Sequence, residues 1–100
     1  MSEEKNIHLE RLKKIINNFI KDEDVKIFLF GSRARGDNAP MSDVDIGIMH
    51  GPGFNMGKIS LLREYIEESN IPYKVEIVDF ADASEKFRNS VLKEAILWKG

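Results

Sequence analysis

Two short stretches hold the residues with the most evident chemistry. The first is Phe30-Gly31-Ser32-Arg33-Ala34-Arg35-Gly36, and the second is Ser42-Asp43-Val44-Asp45-Ile46. An apolar run ends at a glycine turn, two arginines follow, and a second apolar run then carries two aspartates. A glycine turn lets a phosphate approach backbone N–H groups, and arginines add charge-assisted contacts. Alternate aspartates supply hard oxygen ligands for divalent cations. Together these groups suit a nucleoside triphosphate with its metal ions.

The spacing Gly31-x-x-x-x-Gly36 fits the first half of a P-loop. Asp37 and Asn38 then stand where a P-loop needs its Lys and Ser/Thr, so the phosphate-neutralising charge is missing. A dinucleotide fingerprint fails as well, because position 33 is Arg33 and not glycine. What remains is a Gly-Ser turn at the start of a short helix. Gly31 and Ser32 would meet phosphate, Ser32 would also cap the helix, and Arg33 and Arg35 would reach phosphate oxygens. Taken alone, the same residues also fit an ordinary strand-to-helix turn with solvated arginines.

Asp43 and Asp45 lie two apart on an expected strand, so they share one face with Cα atoms roughly 6–7 Å apart. Val44, Ile46 and Ile48 point the other way. Adjacent carboxylates repel unless a cation sits between them, and two Mg²⁺ ions about 3.5–4 Å apart would fit that separation. A solvated strand end with two acids is the plainer alternative. Ten residues separate Ser32 from Asp43, enough to leave one strand, turn and return with the aspartates beside the glycine turn. A third carboxylate comes from the next apolar run. Glu76 lies mid-strand among Val75, Ile77 and Val78, where an unpaired acid is costly, whereas Asp79 ends the strand and faces the opposite side. Glu76 is the expected third acid, and a salt bridge to Lys74 is its structural alternative.

The elements that must position these groups follow from periodicity. A helix is expected over about Glu4 to Ile20, from the spacing of Ile7, Leu12, Ile15, Ile16 and Phe19. Strands are expected over Val25 to Phe30, Val44 to Met49 and Tyr73 to Phe80. A second long helix spans roughly Met56 to Ser69. The last runs from about Ser84 to Trp98, with Asp82 and Glu85 at capping-box spacing. The expected order is α-β-α-β-α-β-α, an α+β sandwich: one small mixed sheet of three strands flanked by helices, in a single domain over residues 1–100.

Composition narrows the function classes. The chain has 100 residues, 42% hydrophobic and 32% charged, with a net charge of −2, so no basic field argues for nucleic acid. Cysteine is absent, which excludes disulfides and zinc-thiolate sites and suits a cytoplasmic location. No apolar run reaches a membrane span, and Met1-Ser2-Glu3-Glu4-Lys5 is too polar for a secretory signal. His8 and His50 are expected at the surface, with His50 placed to approach a bound nucleotide.

Gly31-Ser32, ten intervening residues and Asp43-x-Asp45 resemble the signature of the DNA polymerase β-type nucleotidyltransferase superfamily. The fuller pattern, with Arg33-Ala34-Arg35-Gly36 and Ser42-Asp43-Val44-Asp45-Ile46, is similar to that of the minimal nucleotidyltransferases (MNT) of bacteria and archaea. The resemblance implies a Mg²⁺-dependent enzyme that transfers AMP from ATP to a hydroxyl. It places Gly31 and Ser32 on the triphosphate, and Asp43, Asp45 and Glu76 on the metals as the catalytic acids. Many relatives have aspartate at the third position. The resemblance also implies a small helical HEPN toxin as partner, with a tyrosine as acceptor and this chain as antitoxin. A chain this short leaves the acceptor to be supplied by another molecule, so an interaction surface is expected among Phe54, Met56, Tyr73, Phe80, Phe87 and Trp98. Two other functions stay open: an antitoxin that masks its partner without catalysis, and a transferase acting on a small molecule or an RNA end.

Overall fold

The computed structural model describes residues 6–21 and 24–99. Eight elements follow one another: α1 (Ile7–Phe19), β1 (Val25–Phe30), α2 (Ser32–Arg35), β2 (Val44–His50), α3 (Gly57–Glu67), β3 (Val75–Asp79), α4 (Glu85–Leu92) and β4 (Ile96–Lys99). They build one mixed sheet in the order β3-β2-β1-β4. The β1–β2 and β1–β4 pairs are antiparallel, and β2–β3 is parallel. The α+β class and the mixed sheet agree with expectation.

α1 begins where the Asn6 side chain accepts hydrogen bonds from the His8 and Leu9 N–H groups, a standard N-cap. Its apolar stripe puts Leu12 and Ile16 against the sheet, and α3 adds Ile59, Leu62 and Ile66. These meet Val25, Ile27, Leu29, Val44, Ile46, Ile48 and Ile77, which all point to one face by strand alternation. Each such buried aliphatic side chain contributes about 1.5–3 kcal/mol.

The opposite face carries Phe28 and Phe30 from β1, Gly47 from β2 and Phe80 just past β3. The Phe80 ring lies 6.1 Å from Phe28 and 5.7 Å from Phe30, centroid to centroid, and Phe87 of α4 meets it edge-on at 6.4 Å. Gly47 makes room for this cluster, because a Cβ there would overlap the Phe80 ring. Gly47→Ala is therefore expected to cost about 1–3 kcal/mol by overpacking, measurable as a lower urea midpoint at unchanged m-value.

The fourth strand corrects the expected three. The last helix stops at Leu92, and Ile96–Lys99 pairs with β1 as β4. Val91, Leu92, Ala95 and Ile96 keep helical spacing across the junction, with no glycine or proline to mark it. Pairing with the otherwise open edge of β1 outweighs local helical preference. Two caps also differ. Gly31, not Ser32, occupies the N-cap position of α2 and makes no side-chain bond. Ser84, not Asp82, caps α4, accepting from the Phe87 N–H at 3.1 Å. The expected start of the first helix at Glu4 lies outside the described residues. Among the described residues, no helix is long and apolar enough to cross a membrane.

Candidate active site

The strand register brings the sequence-selected groups together. Asp45 pairs with Phe30 across the antiparallel β1–β2 ladder and with Glu76 across the parallel β2–β3 ladder. Residues paired across a ladder share a face, so Glu76 projects beside Asp45 on the face away from α1 and α3. Asp43, two residues earlier, precedes β2 on that side. Gly31 directly follows Phe30, and its backbone lies against the Asp45 carboxylate: a Cβ on Gly31 would overlap Asp45 Oδ2. Gly31 also has φ +78° and ψ −158°, a conformation that essentially only glycine adopts. The turn, the aspartate pair and the third acid thus form one line across three adjacent strands.

The electrostatics of this line are those of crowded acids. Burial pushes the Asp45 carboxyl above the usual carboxylate range, and the charges of Asp43 and Glu76 push it further. Glu76 is half-exposed, not buried as its mid-strand position suggested, because β3 is an edge strand. It lies 3.5 Å from Lys74 Nζ, an exposed pair of small energetic weight. Among the described residues, no group of three or more His, Asp or Glu side chains is set closely enough to form a ready metal site. The donor set nonetheless suits a hard divalent cation: three carboxylates share one face, and their mutual repulsion is visible in the raised Asp45 pKa.

Two open clefts lie on either side of this line, and of the three acids only Glu76 lines one of them. One of about 440 Å³ lies on the glycine side, lined by Phe30, Gly31, Arg35, Ser90, Val91 and Glu94. The other, about 530 Å³, runs along the open edge of β3 and includes Arg63, Tyr73, Lys74 and Glu76.

The arginines divide. Arg35 is exposed on the glycine-side cleft, held loosely by Asp37 at 3.2 Å and Glu94 at 3.7 Å. Arg33 is buried, with most of its donors turned to backbone rather than free for phosphate. Its Nε and Nη2 donate to the Ser42 carbonyl at 3.1 and 2.8 Å, and Nη2 also donates to Pro40 at 3.1 Å. Three of the five guanidinium N–H donors are thus committed to backbone, and only the Nη1 pair is not spent on these carbonyls.

His50 is also corrected: it is neither at the surface nor near the acids. It ends β2, two ladder steps past Ile48 on the helix-covered face, and its side chain is only 8% exposed. Nδ1 donates to the Gly51 carbonyl at 2.9 Å, and Nε2 meets Asp79 Oδ1 at 2.9 Å. A carbonyl and a carboxylate both accept, so the arrangement favours the imidazolium, which donates from both nitrogens. The Gly51 bond raises its pKa most and Asp79 adds to this, while burial opposes them. Asp79 Oδ1 also accepts from the Ala81 N–H, so Asp79 serves this buried pair and lies on the face away from Asp45. Periodicity could not reveal the pair, since its members lie 29 residues apart.

The pair predicts a pH dependence. A histidine with a raised folded pKa stabilises fully below its unfolded value of 6.5, and the contribution is lost as pH rises through the folded value. Wild-type Tm should therefore fall as pH rises above 6.5. His50→Gln should be less stable than wild type at pH 6 and lack that slope, as read by thermal melts across the range. A wild-type Tm that climbs over this window would contradict the charged pair.

Comparison with known proteins identifies the family. The family described as Polymerase beta, Nucleotidyltransferase matches residues 13–99. The chain belongs to this nucleotidyltransferase family. The Haemophilus influenzae protein named "Probable protein adenylyltransferase MntA" is 32% identical over 89 residues, covering 89% of this chain and 76% of that one. Among solved structures, a toxin–antitoxin with AMP-PNP matches with a TM-score of 0.68 at 23% identity, covering 88% of this chain and 73% of the other. A complex of tri-AMPylated Shewanella oneidensis HEPN toxin with MNT antitoxin matches with a TM-score of 0.65 at 20% identity, covering 94% and 71%. At these identities the structural likeness shows the fold. The matched span of residues 13–99 includes Gly31, Ser32, Asp43, Asp45 and Glu76; the contacts of Arg33 and Tyr73 and the His50–Asp79 pair emerge only from the fold.

The surface divides the residues expected at an interface. Phe80 is fully buried, and Phe54, Tyr73 and Trp98 pack against the core. Met56 and Phe87 are exposed. Other exposed apolar residues include Leu61, Tyr65, Ile96 and Leu97.

Proposed function

We propose that this nucleotidyltransferase transfers AMP from ATP to a hydroxyl on a protein, a tyrosine of a small helical HEPN toxin, and acts as that toxin's antitoxin. The observation that carries the proposal is the register that sets Asp45 between Gly31 and Glu76. The relative named as a protein adenylyltransferase and the fold shared with toxin–antitoxin complexes support the choice of acceptor.

In this proposal the triphosphate lies in the glycine-side cleft. Gly31 lets phosphate come close to the backbone, and Ser32 offers its hydroxyl and a first-turn N–H that has no helical partner. Arg35 can exchange its weak surface pairs for phosphate oxygens. Asp43, Asp45 and Glu76 would hold Mg²⁺, which when bound offsets triphosphate charge and acidifies a hydroxyl. The acceptor enters from the β3 side, where Glu76 orients its oxygen and takes its proton. The acceptor oxygen then bonds to the α-phosphorus as the bond to the β-phosphate bridge breaks, releasing pyrophosphate.

Incubation with MgATP and the product of the adjacent gene tests this. Pyrophosphate should appear only when both proteins are present. Orthophosphate instead would indicate ordinary ATP hydrolysis. Release of neither, with the toxin still neutralised, would favour masking by contact.

A further inference from the structure

We infer that Arg33 is a positioning residue for the proposed transfer: one buried guanidinium ties together the three segments that carry the turn, the aspartates and the third acid. The inference rests on that function for its catalytic meaning, but its geometry stands alone.

Arg33 belongs to α2, directly after Ser32. Its fork grips the carbonyls of Pro40 and Ser42, and Ser42 immediately precedes Asp43. Its Cζ lies 4.1 Å from the centre of the Tyr73 ring, and Tyr73 leads into β3 three residues before Glu76. Tyr73 is itself anchored. Its hydroxyl accepts from Asn6 Nδ2 at 3.2 Å, and its ring meets His8 edge-on at 5.8 Å. One side chain therefore touches all three segments.

The cost of this arrangement argues for a purpose beyond closing a loop. Arg33 is 9% exposed, and among the described residues its partners are carbonyls and a ring, with no carboxylate. A buried cation held by neutral acceptors is expensive, and an apolar side chain would fill the space without that penalty. Lysine could not substitute, since a point charge supplies neither the planar fork nor the stacking face. What the guanidinium adds is a fixed distance between the Ser32 turn and the Asp43 backbone, with Glu76 held in register.

Arg33→Ala and Arg33→Lys should each lower kcat on the order of 100-fold, the effect of misplacing reacting groups by about 1 Å. KM for ATP should stay within about threefold, because uniform binding contacts are kept. Tyr73→Leu removes the stack alone and should cost roughly tenfold in kcat, which keeps a test available if Arg33→Ala does not fold. Hydrogen exchange over residues 38–46 and 72–77, read by mass spectrometry, should quicken in both segments in the folded variants. Unchanged exchange in both segments overturns the clamp, whether or not the wild type transfers AMP. A raised KM at constant kcat overturns it in favour of direct phosphate contact, as does full rescue by lysine. A wild type that exchanges slowly in both segments yet releases no pyrophosphate overturns the transfer, and Arg33's part in it. The exchange data keep that failure distinct from a broken clamp.

Discussion

Asp45→Asn is expected to lower nucleotidyl transfer by on the order of 10³-fold while making the unliganded protein more stable. The substitution keeps the side-chain shape and removes the charge. In the fold, that charge is held in partial burial between Asp43 and Glu76, so ionisation of Asp45 is disfavoured. A carboxyl whose folded pKa exceeds its unfolded value binds its proton more tightly in the fold. Stability therefore falls as pH rises from the ordinary value of 3.8 through the raised one, and the deficit persists at neutral pH. Removing the charge should raise Tm by roughly 2–5 °C at pH 7, with less gain at pH 3. Thermal melts at both pH values and a pyrophosphate-release assay check the two halves. A variant that is less stable at pH 7 and equally active would show that the acids are an incidental strand end.

Gly31→Ala should damage both stability and turnover. The backbone at φ +78° and ψ −158° costs a residue with a Cβ about 1–3 kcal/mol. The new methyl would also meet Asp45 Oδ2, so the carboxylate must move. A shift of about 1 Å at such a group costs on the order of 100-fold in rate. The backbone term lowers Tm by roughly 5–15 °C in a domain of this size. The two sources separate in a double-mutant cycle with Asp45→Ala. Removing the carboxylate should restore part of the lost stability, because only the backbone penalty remains. Strict additivity of the two single substitutions would show that Asp45 does not press against Gly31.

The sequence made the site legible to the extent that its parts are local. Gly31 is marked by the end of an apolar run, and Asp43 and Asp45 share a face through strand alternation alone. Strand alternation sets Glu76 and Asp79 on opposite faces, as the fold has them, but Glu76 is half-exposed on an edge strand, and the Lys74 pair expected as its alternative is present beside it. Its partnership with Asp45 depends on strand register, which no single run of residues specifies. The same limit hid β4. Residues 93–95 carry no breaker, so only pairing with β1 shows that the last apolar residues leave the helix. The backbone contacts of Arg33 are hidden for another reason: an arginine beside a glycine turn has the same sequence appearance whether it faces solvent or a loop carbonyl. The Ser42 and Pro40 carbonyls that claim it are backbone groups, common to every residue. His50 and Asp79 were likewise read separately, since the parallel β2–β3 ladder alone sets them side by side.

The central claim is AMP transfer to a protein, and isotope position tests it most directly. The chain would be mixed with the adjacent gene's product and MgATP labelled at either the α- or the γ-phosphate. The proteins would then be separated on a denaturing gel. The α-label should stay with the partner in a bond lost on Tyr→Phe substitution there, the γ-label should leave as pyrophosphate, and Asp45→Asn should slow both by on the order of 10³-fold. Retention of γ-label on the partner, or α-label transfer at an undiminished rate in Asp45→Asn, would contradict the account.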